Sequence, residues 1–357
     1  MTIDMYSANN LIEVIKQSPM PGSFLRSRYM PTSARDIFKT KKVFIERTSD
    51  GNLAAPFVIP YSGSKLMERE SYTGEELMPA FINPSRSMSI DQLMKKGIGE
   101  TLYDEVTPAE REQNYLADDL VFLQKAIQRR IEWMIGQIIT TGKVDCVIGD
   151  STSTEKVQLK YYDSTFTNKM TFVDDLSNTV YWDTENASIY EQVSEMANDI
   201  DADYGDLDLI LGADLVSTFI RDGEIHELLD IRNANFGSID PGVEQFPGVG
   251  YLGSINFGGK QLNIYSYNAK AVIEGSTVSY IDSKYAVVLP RAGFGATKFG
   301  SITQMEEEDR QFHTYSAEMV PRRLTDAATN TRLLEMASAP LPHPYNWDSW
   351  RVTKALS

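Results

Sequence analysis

The sequence predicts an α+β fold organised around one very long helix, and three observations carry that prediction. Apolar residues recur at three- and four-residue spacing through positions 108–141, strand-like alternation stands on both sides of that run, and Pro19, Pro21, Gly22 and Pro31 break residues 1–40 into an arm. With 357 residues the chain makes one large or two medium domains, and a chain of this size buries roughly three quarters of its extended surface without disulfide staples.

Composition narrows the function classes first. The hydrophobic share of 42% and the charged share of 24% are those of a globular protein. Fifty acidic against thirty-four basic residues leave a formal net charge of −16, which opposes the clustered Lys and Arg that nucleic-acid binding requires. The single cysteine, Cys146, cannot form an internal disulfide, which fits a reducing cytoplasm, and it reads as a small buried hydrophobe before it reads as a reactive thiol. The opening Met-Thr-Ile-Asp-Met-Tyr has no basic region ahead of an apolar one, and no apolar run reaches membrane-spanning length, so neither export nor a membrane is expected.

In chain order, the arm holds one short amphipathic stretch with Leu11, Ile12 and Ile15 on one face. From Lys41 the pattern turns to strand: Val43 and Ile45 alternate, Asp50-Gly51 signals a turn, and Phe57 and Ile59 alternate again, a hairpin whose Pro56 and Pro60 suit an edge. Residues 62–86 show no core pattern and mix charges with Gly63, Gly74, Pro79 and Pro84. They read either as a disordered surface loop or as a loop ordered against a neighbouring subunit.

The strongest local signal is the helix from Pro108 to about Thr141. Thr107 stands as N-cap, Pro108 at the first helical position and Glu110 three residues after the cap; Leu116, Leu120, Leu123, Ile127, Ile131, Met134 and Ile138 form the stripe, and Gly142 ends it. At about 1.5 Å per residue this is a rod of roughly 50 Å, a spine with no second helix of like length to pair with it. Beyond it come β-leaning segments around Lys156 to Phe172 and a second helix with Ile189, Val193, Met196 and Ile200 on one face. A buried strand Leu207 to Leu211, a short helix Ala213 to Arg221, a hairpin Ile255 to Tyr267 turning at Gly258-Gly259 and a strand Ala286 to Leu289 follow. The last forty residues read as extended and broken by Pro340, Pro342 and Pro344.

No constellation offers catalysis. Gly248-Val249-Gly250-Tyr251-Leu252-Gly253 matches a dinucleotide fingerprint, but Pro241 and Pro247 interrupt the approach and a hairpin follows, leaving no helix N-terminus for a pyrophosphate. Gly293 to Lys298 lacks the spacing of a phosphate loop and reads as a turn. His226, His313 and His343 stand far apart without a neighbour at metal-ligand spacing, no G-x-S-x-G elbow occurs, and Glu306-Glu307-Glu308-Asp309 reads as a solvated acidic face. No cofactor, metal or catalytic residue is expected.

The order of parts resembles the Hong Kong-type capsid fold of tailed phages and herpesviruses, and within it the lambda-type major capsid protein E family. Phe24-Leu25 followed by Lys41 to Glu46, the strand Leu207 to Gly212 leading into Ala213 to Phe219, and the closing Leu333-Leu334-Glu335-Met336-Ala337-Ser338-Ala339-Pro340-Leu341-Pro342 carry the resemblance. It implies an N-terminal arm (1–40), an extension loop (41–90), a peripheral domain with the spine (91–182), an axial domain (183–300), and C-terminal strands returning to both (301–357). It also implies a major capsid protein that forms pentamers and hexamers, assembles around scaffolding protein in the host cytoplasm, and ends in the virion. Portal and decoration proteins are the further partners it suggests, and the shell encloses DNA without sequence-specific binding, a role that an acidic wall suits. A relative outside the family seals its shell by joining Lys to Asn, and no such pair is matched here.

Two rival readings are a bacterial cargo compartment of the same fold and a two-domain α/β enzyme. On the capsid reading, subunit contacts fall in the extension loop, on Glu68, Arg69, Glu70, Tyr72, Glu75 and Glu76.

Overall fold

Apolar patterning sets the element order of the chain, seen here in a computed structural model. A short helix α1 (Phe24–Tyr29) and a 3-10 turn (Ala34–Asp36) lead through β1 (Val43–Thr48), β2 (Tyr72–Leu77) and β3 (Ser85–Ser89) to the spine helix α2 (Pro108–Thr141). The structure describes residues 12, 23–48, 72–89, 108–150, 153–160, 166–174, 177–184, 187–200, 204–225, 246–257, 260–273, 275–307, 309–326 and 330–357. Thr107, the Asp50-Gly51 turn, the segment around Phe57 and Ile59, and Gly258-Gly259 lie outside them.

The spine has the predicted span, and its stripe from Leu120 through Leu123, Ile127, Ile131, Met134 and Ile138 is buried, widened by Ile135 and Ile139 near the C-terminal end. Gly142 closes it at φ 69° while its N–H donates to the Ile138 carbonyl at 2.9 Å, the left-handed cap that glycine adopts without strain. Glycine inside a helix is unfavourable, yet Gly136 is needed: a Cβ there would stand 2.0 Å from the Tyr280 carbonyl oxygen. The Trp350 indole N–H donates to the Ile139 carbonyl at 2.9 Å, satisfying one acceptor that the last helical turn leaves open.

After the spine, β4 (Lys143–Asp150) and β5 (Ser153–Lys160) form an antiparallel hairpin. The chain continues with β6 (Lys169–Met170), α3 (Ile189–Asn198), β7 (Asp206–Gly212), α4 (Leu215–Arg221), β8 (Val249–Phe257), β9 (Lys260–Tyr267), β10 (Lys270–Ile273), β11 (Ser276–Ser279) and β12 (Tyr285–Pro290). The last strands are β13 (Gly295–Phe299), β14 (Ile302–Met305), β15 (Phe312–Tyr315), β16 (Val320–Asp326), β17 (Thr331–Ala337), β18 (Pro340–Pro344) and β19 (Arg351–Lys354).

Six of these strands make the main sheet, in the order β6-β19-β12-β7-β9-β8. Strand alternation gives it two apolar faces. Leu207, Leu209 and Leu211 of β7 pack with Val193, Met196, Leu215 and Phe219 of the helices α3 and α4, whereas Ile210 joins the core that contains α1 and the spine. A strand covered on both faces must be apolar nearly throughout, which is why Leu207 to Leu211 is legible as buried. A second sheet, β16-β17-β3, lies against the N-terminal half of the spine. Ion pairs fasten it there: Arg86 to Asp119 at 2.6 Å, and Glu112 to both Arg323 and Arg332.

Three local expectations are corrected. The strand Val43–Thr48 pairs with Tyr72–Leu77, in a register from Val43↔Leu77 to Thr48↔Tyr72, and the partner expected around Phe57 lies outside the described residues. Residues 62–86 therefore contain a strand, and their end belongs to the subunit itself: Ile82 exchanges backbone hydrogen bonds with Ser338, and β3 pairs with β17. Residues 293–298 are a turn only at Gly293, φ 73°, because Gly295–Phe299 is strand β13.

The third correction concerns the prolines. Pro340, Pro342 and Pro344 do not break the C-terminal strand, since they occupy alternate positions of β18, antiparallel to β13. Gly300 N–H donates to Ala339 O and Tyr345 N–H to Phe294 O, so the residues between the prolines hold the ladder and each proline nitrogen points to the unpaired side.

Candidate functional site

Among the described residues the buried charged side chains are Arg26, Glu132 and Asp208, and all three meet at α1. An unpaired buried charge costs several kcal/mol, so each must be met by donors or counter-charges. Glu132, on the spine, accepts from the backbone N–H of Leu25 at 2.7 Å, that of Arg26 at 3.1 Å, and the Tyr267 hydroxyl at 2.9 Å. It thus caps the first turn of a helix more than a hundred residues away in sequence. Burial pushes its carboxyl above the usual glutamate range, although the three donors and the nearby Arg26 oppose the shift. The same burial, reinforced by the Glu132 charge, holds the Tyr267 hydroxyl well above its ordinary value.

Asp208, on β7, is the counterpart from the sheet. It accepts from Arg28 Nε at 2.6 Å, the Tyr29 hydroxyl at 2.9 Å and Asn263 Nδ2 at 3.1 Å. Arg26 reaches Glu318 at 2.6 Å and lies over the Phe299 ring, and Thr297 Oγ1 donates to the Met30 carbonyl at 2.9 Å. Residues 24–30 of the arm therefore join the spine, the main sheet and the C-terminal strands. The apolar residues Phe24, Leu25, Tyr29 and Met30, all buried, supply the packing around those polar ties. Ile12, nearer the N-terminus, packs with Ile302, Ala317 and Val320, whereas Leu11 and Ile15 fall outside the described residues.

The residues expected to make subunit contacts sit elsewhere. Glu68, Arg69 and Glu70 lie outside the described residues, Tyr72 begins β2, and Glu75 and Glu76 lie on the same strand. The ribbon β1–β2 packs Val43, Ile45 and Leu77 onto the core and turns Phe44 and Glu76 outward. Glu76 faces Lys42 at 3.4 Å, a pair with more than half of each side chain in solvent. Strands β1 and β2 pair with each other and with no further described strand.

Beside Glu132 a cleft of 430 Å³ opens between the spine and the β10–β11 hairpin, with Lys125, Arg129 and Lys270 around it and Pro247 and Gly248 at one side. Gly248, with φ 81°, stands at the start of strand β8 and not at a helix, so the glycine fingerprint makes a strand entry. His226 lies outside the described residues; His313 is half-exposed against Asp309 at 2.6 Å, and His343 is buried in β18. Glu306 and Glu307 brace the β14–β15 hairpin by accepting from Tyr315 and from the Thr325 N–H, and Glu308 lies outside the described residues. Cys146 is partly buried on β4, where burial raises its thiol. No group of three metal-ligating side chains occurs among the described residues, and none of their helices is long and apolar enough to cross a membrane.

The chain can be compared with known proteins on this footing. It is similar in structure to a capsid protein of an Escherichia coli prophage, with TM-score 0.65, 15% identity, and 98% of this chain and 99% of that one covered. A phage-related protein of Bordetella bronchiseptica matches at TM-score 0.50 and 10% identity, over 97% and 96% of the two chains. No curated protein matches the sequence. These likenesses agree with the element order in giving the Hong Kong-type capsid fold, and a family model described as phage major capsid protein E matches residues 7–355. The chain is a structural protein, not an enzyme, and it belongs to the phage major capsid protein E family.

Proposed function

We propose that this major capsid protein builds the head of a tailed phage as pentamers and hexamers, assembled in the host cytoplasm around a scaffolding protein and joined to a portal and a decoration protein. The observation that supports this reading most is the ribbon β1–β2, which pairs with no third described strand while presenting Phe44 and Glu76 to solvent. An exposed ribbon carrying charge and an aromatic is suited to contact with another copy. In this assignment Glu68, Arg69, Glu70, Tyr72, Glu75 and Glu76 meet complementary groups on a neighbour, and the enclosed DNA is held without sequence-specific contacts. The net charge of −16 supports a wall that does not adhere to DNA.

Electron microscopy of the chain expressed with its scaffold tests the proposal. Closed shells or capsomers are expected, and a strictly monomeric species across salt and crowding conditions counts against it. Arg69→Glu sharpens the test: the unassembled subunit should melt as wild type does, while shell yield falls and recovers in part with salt, because screening weakens like-charge repulsion.

A further inference from the structure

We propose that the cleft between the spine and the β10–β11 hairpin receives a carboxylate-bearing segment of a second copy of this chain. Lys125 and Arg129 are one turn apart on α2 and share a face with Glu132. Lys270, at the start of β10, closes the other side. All three are exposed, and none has a hydrogen-bond or ion-pair partner among the described residues. The carboxylate in the cleft's described lining, Glu132, is already committed: it points inward to Leu25 N–H, Arg26 N–H and the Tyr267 hydroxyl. The cleft is thus a concave site lined with three cations that have no counter-charge among the described residues, and Glu132, the acid in its described lining, is occupied by the arm.

The occupant follows from charge and size. In a chain with fifty acidic and thirty-four basic residues, three cations gathered at one cleft are the local exception, and every neighbour in a shell of identical subunits offers an acid-rich surface. A volume of 430 Å³ accommodates a few side chains. Three cations fall short of the roughly six to ten phosphate contacts by which duplex DNA is commonly held. An acidic stretch of a neighbouring copy fits both the charge and the volume.

This inference rests on the shell-forming role proposed above, and carbodiimide coupling separates the two. Carbodiimide joins a lysine amine to a carboxylate only when the two are in ion-pair contact. Shells assembled from equal parts of unlabelled and ¹⁵N-labelled subunits are coupled and digested, and the peptides of Lys125 and Lys270 are read by mass spectrometry. The expected result is an amide from Lys125 or Lys270 to an Asp or Glu peptide in which one partner is light and the other heavy. Shells that form but show no coupling at these lysines, or coupling only within one copy, to scaffold, or to nucleic-acid phosphate, overturn the inference and leave the shell-forming role standing. Failure to form shells sinks both.

A second readout is independent of coupling. Lys125→Glu/Arg129→Glu should melt as wild type does when unassembled, since both side chains are exposed, and should lower shell yield at least tenfold at physiological salt. Wild-type yield from that variant overturns the inference.

Discussion

Two glutamate-bearing regions of this subunit behave in opposite ways. At the arm junction Glu132 is buried, accepts three hydrogen bonds, and ties α1 to the spine and to Tyr267 of the main sheet. On the ribbon Glu76 is mostly in solvent and faces Lys42 at 3.4 Å. The first is expensive to desolvate and strongly destabilising to remove; the second contributes at most a fraction of a kcal/mol to its own subunit. A charge that does little for the monomer is free to serve a contact between monomers, whereas the buried one decides whether there is a monomer at all.

The largest expected effect tests the frame that holds the junction. Leu123 is fully buried on the spine stripe, so Leu123→Asp places an unpaired charge in the core at a cost of several kcal/mol and should abolish soluble folding. Normal thermal melting of that variant would mean that the helix face is wrongly placed. Next comes the junction itself. Glu132→Leu leaves two backbone N–H groups and the Tyr267 hydroxyl without their acceptor. At about 1 kcal/mol or more for each group, a loss of roughly 3 kcal/mol is expected in denaturant unfolding. A change below about 1 kcal/mol would erase the contrast with the ribbon.

The pH dependence is smaller and has a defined sign. Burial raises the folded-state value of Glu132 above its ordinary 4.5, so the folded subunit holds this proton more tightly than the unfolded chain does. The stability that this linkage contributes is present in full below the ordinary value and is lost as pH rises through the raised one. Taken as the difference between wild type and Glu132→Gln, which removes the titration, stability should therefore grow in favour of wild type as pH falls from 7 toward about 4. A difference that shrinks over that range would show that the three donors outweigh burial.

How much of this was legible in the sequence depends on the range of the interactions. The spine could be read because its stripe is local and long, and Leu207 to Leu211 because a strand covered on both faces has to be apolar. The strand Tyr72–Leu77 was missed because Tyr-Thr-Gly-Glu-Glu-Leu contains a glycine and two glutamates, which argue against a strand, and its pairing with Val43–Thr48 is set by register across a long excursion. The prolines of β18 looked like breakers because their spacing was not matched to the unpaired side of a two-stranded ladder. Glu132 went unnoticed because a lone glutamate in a helix usually faces water, and its partners lie 106 and 107 residues upstream. A signal did exist: Gln124, Gln128 and Glu132 form a buried polar row at four-residue spacing beside the apolar stripe, which points to a polar tie from outside the helix.

The central claim is that the junction holds the subunit and the ribbon holds the shell. Its most direct test is sedimentation velocity on Glu76→Lys, alongside thermal melting of the same unassembled sample. The account predicts a subunit whose stability stays within about 0.5 kcal/mol of wild type but which sediments as free subunits or capsomers where wild type forms shells. A Glu76→Lys subunit that unfolds, or one that assembles as wild type does, would contradict it.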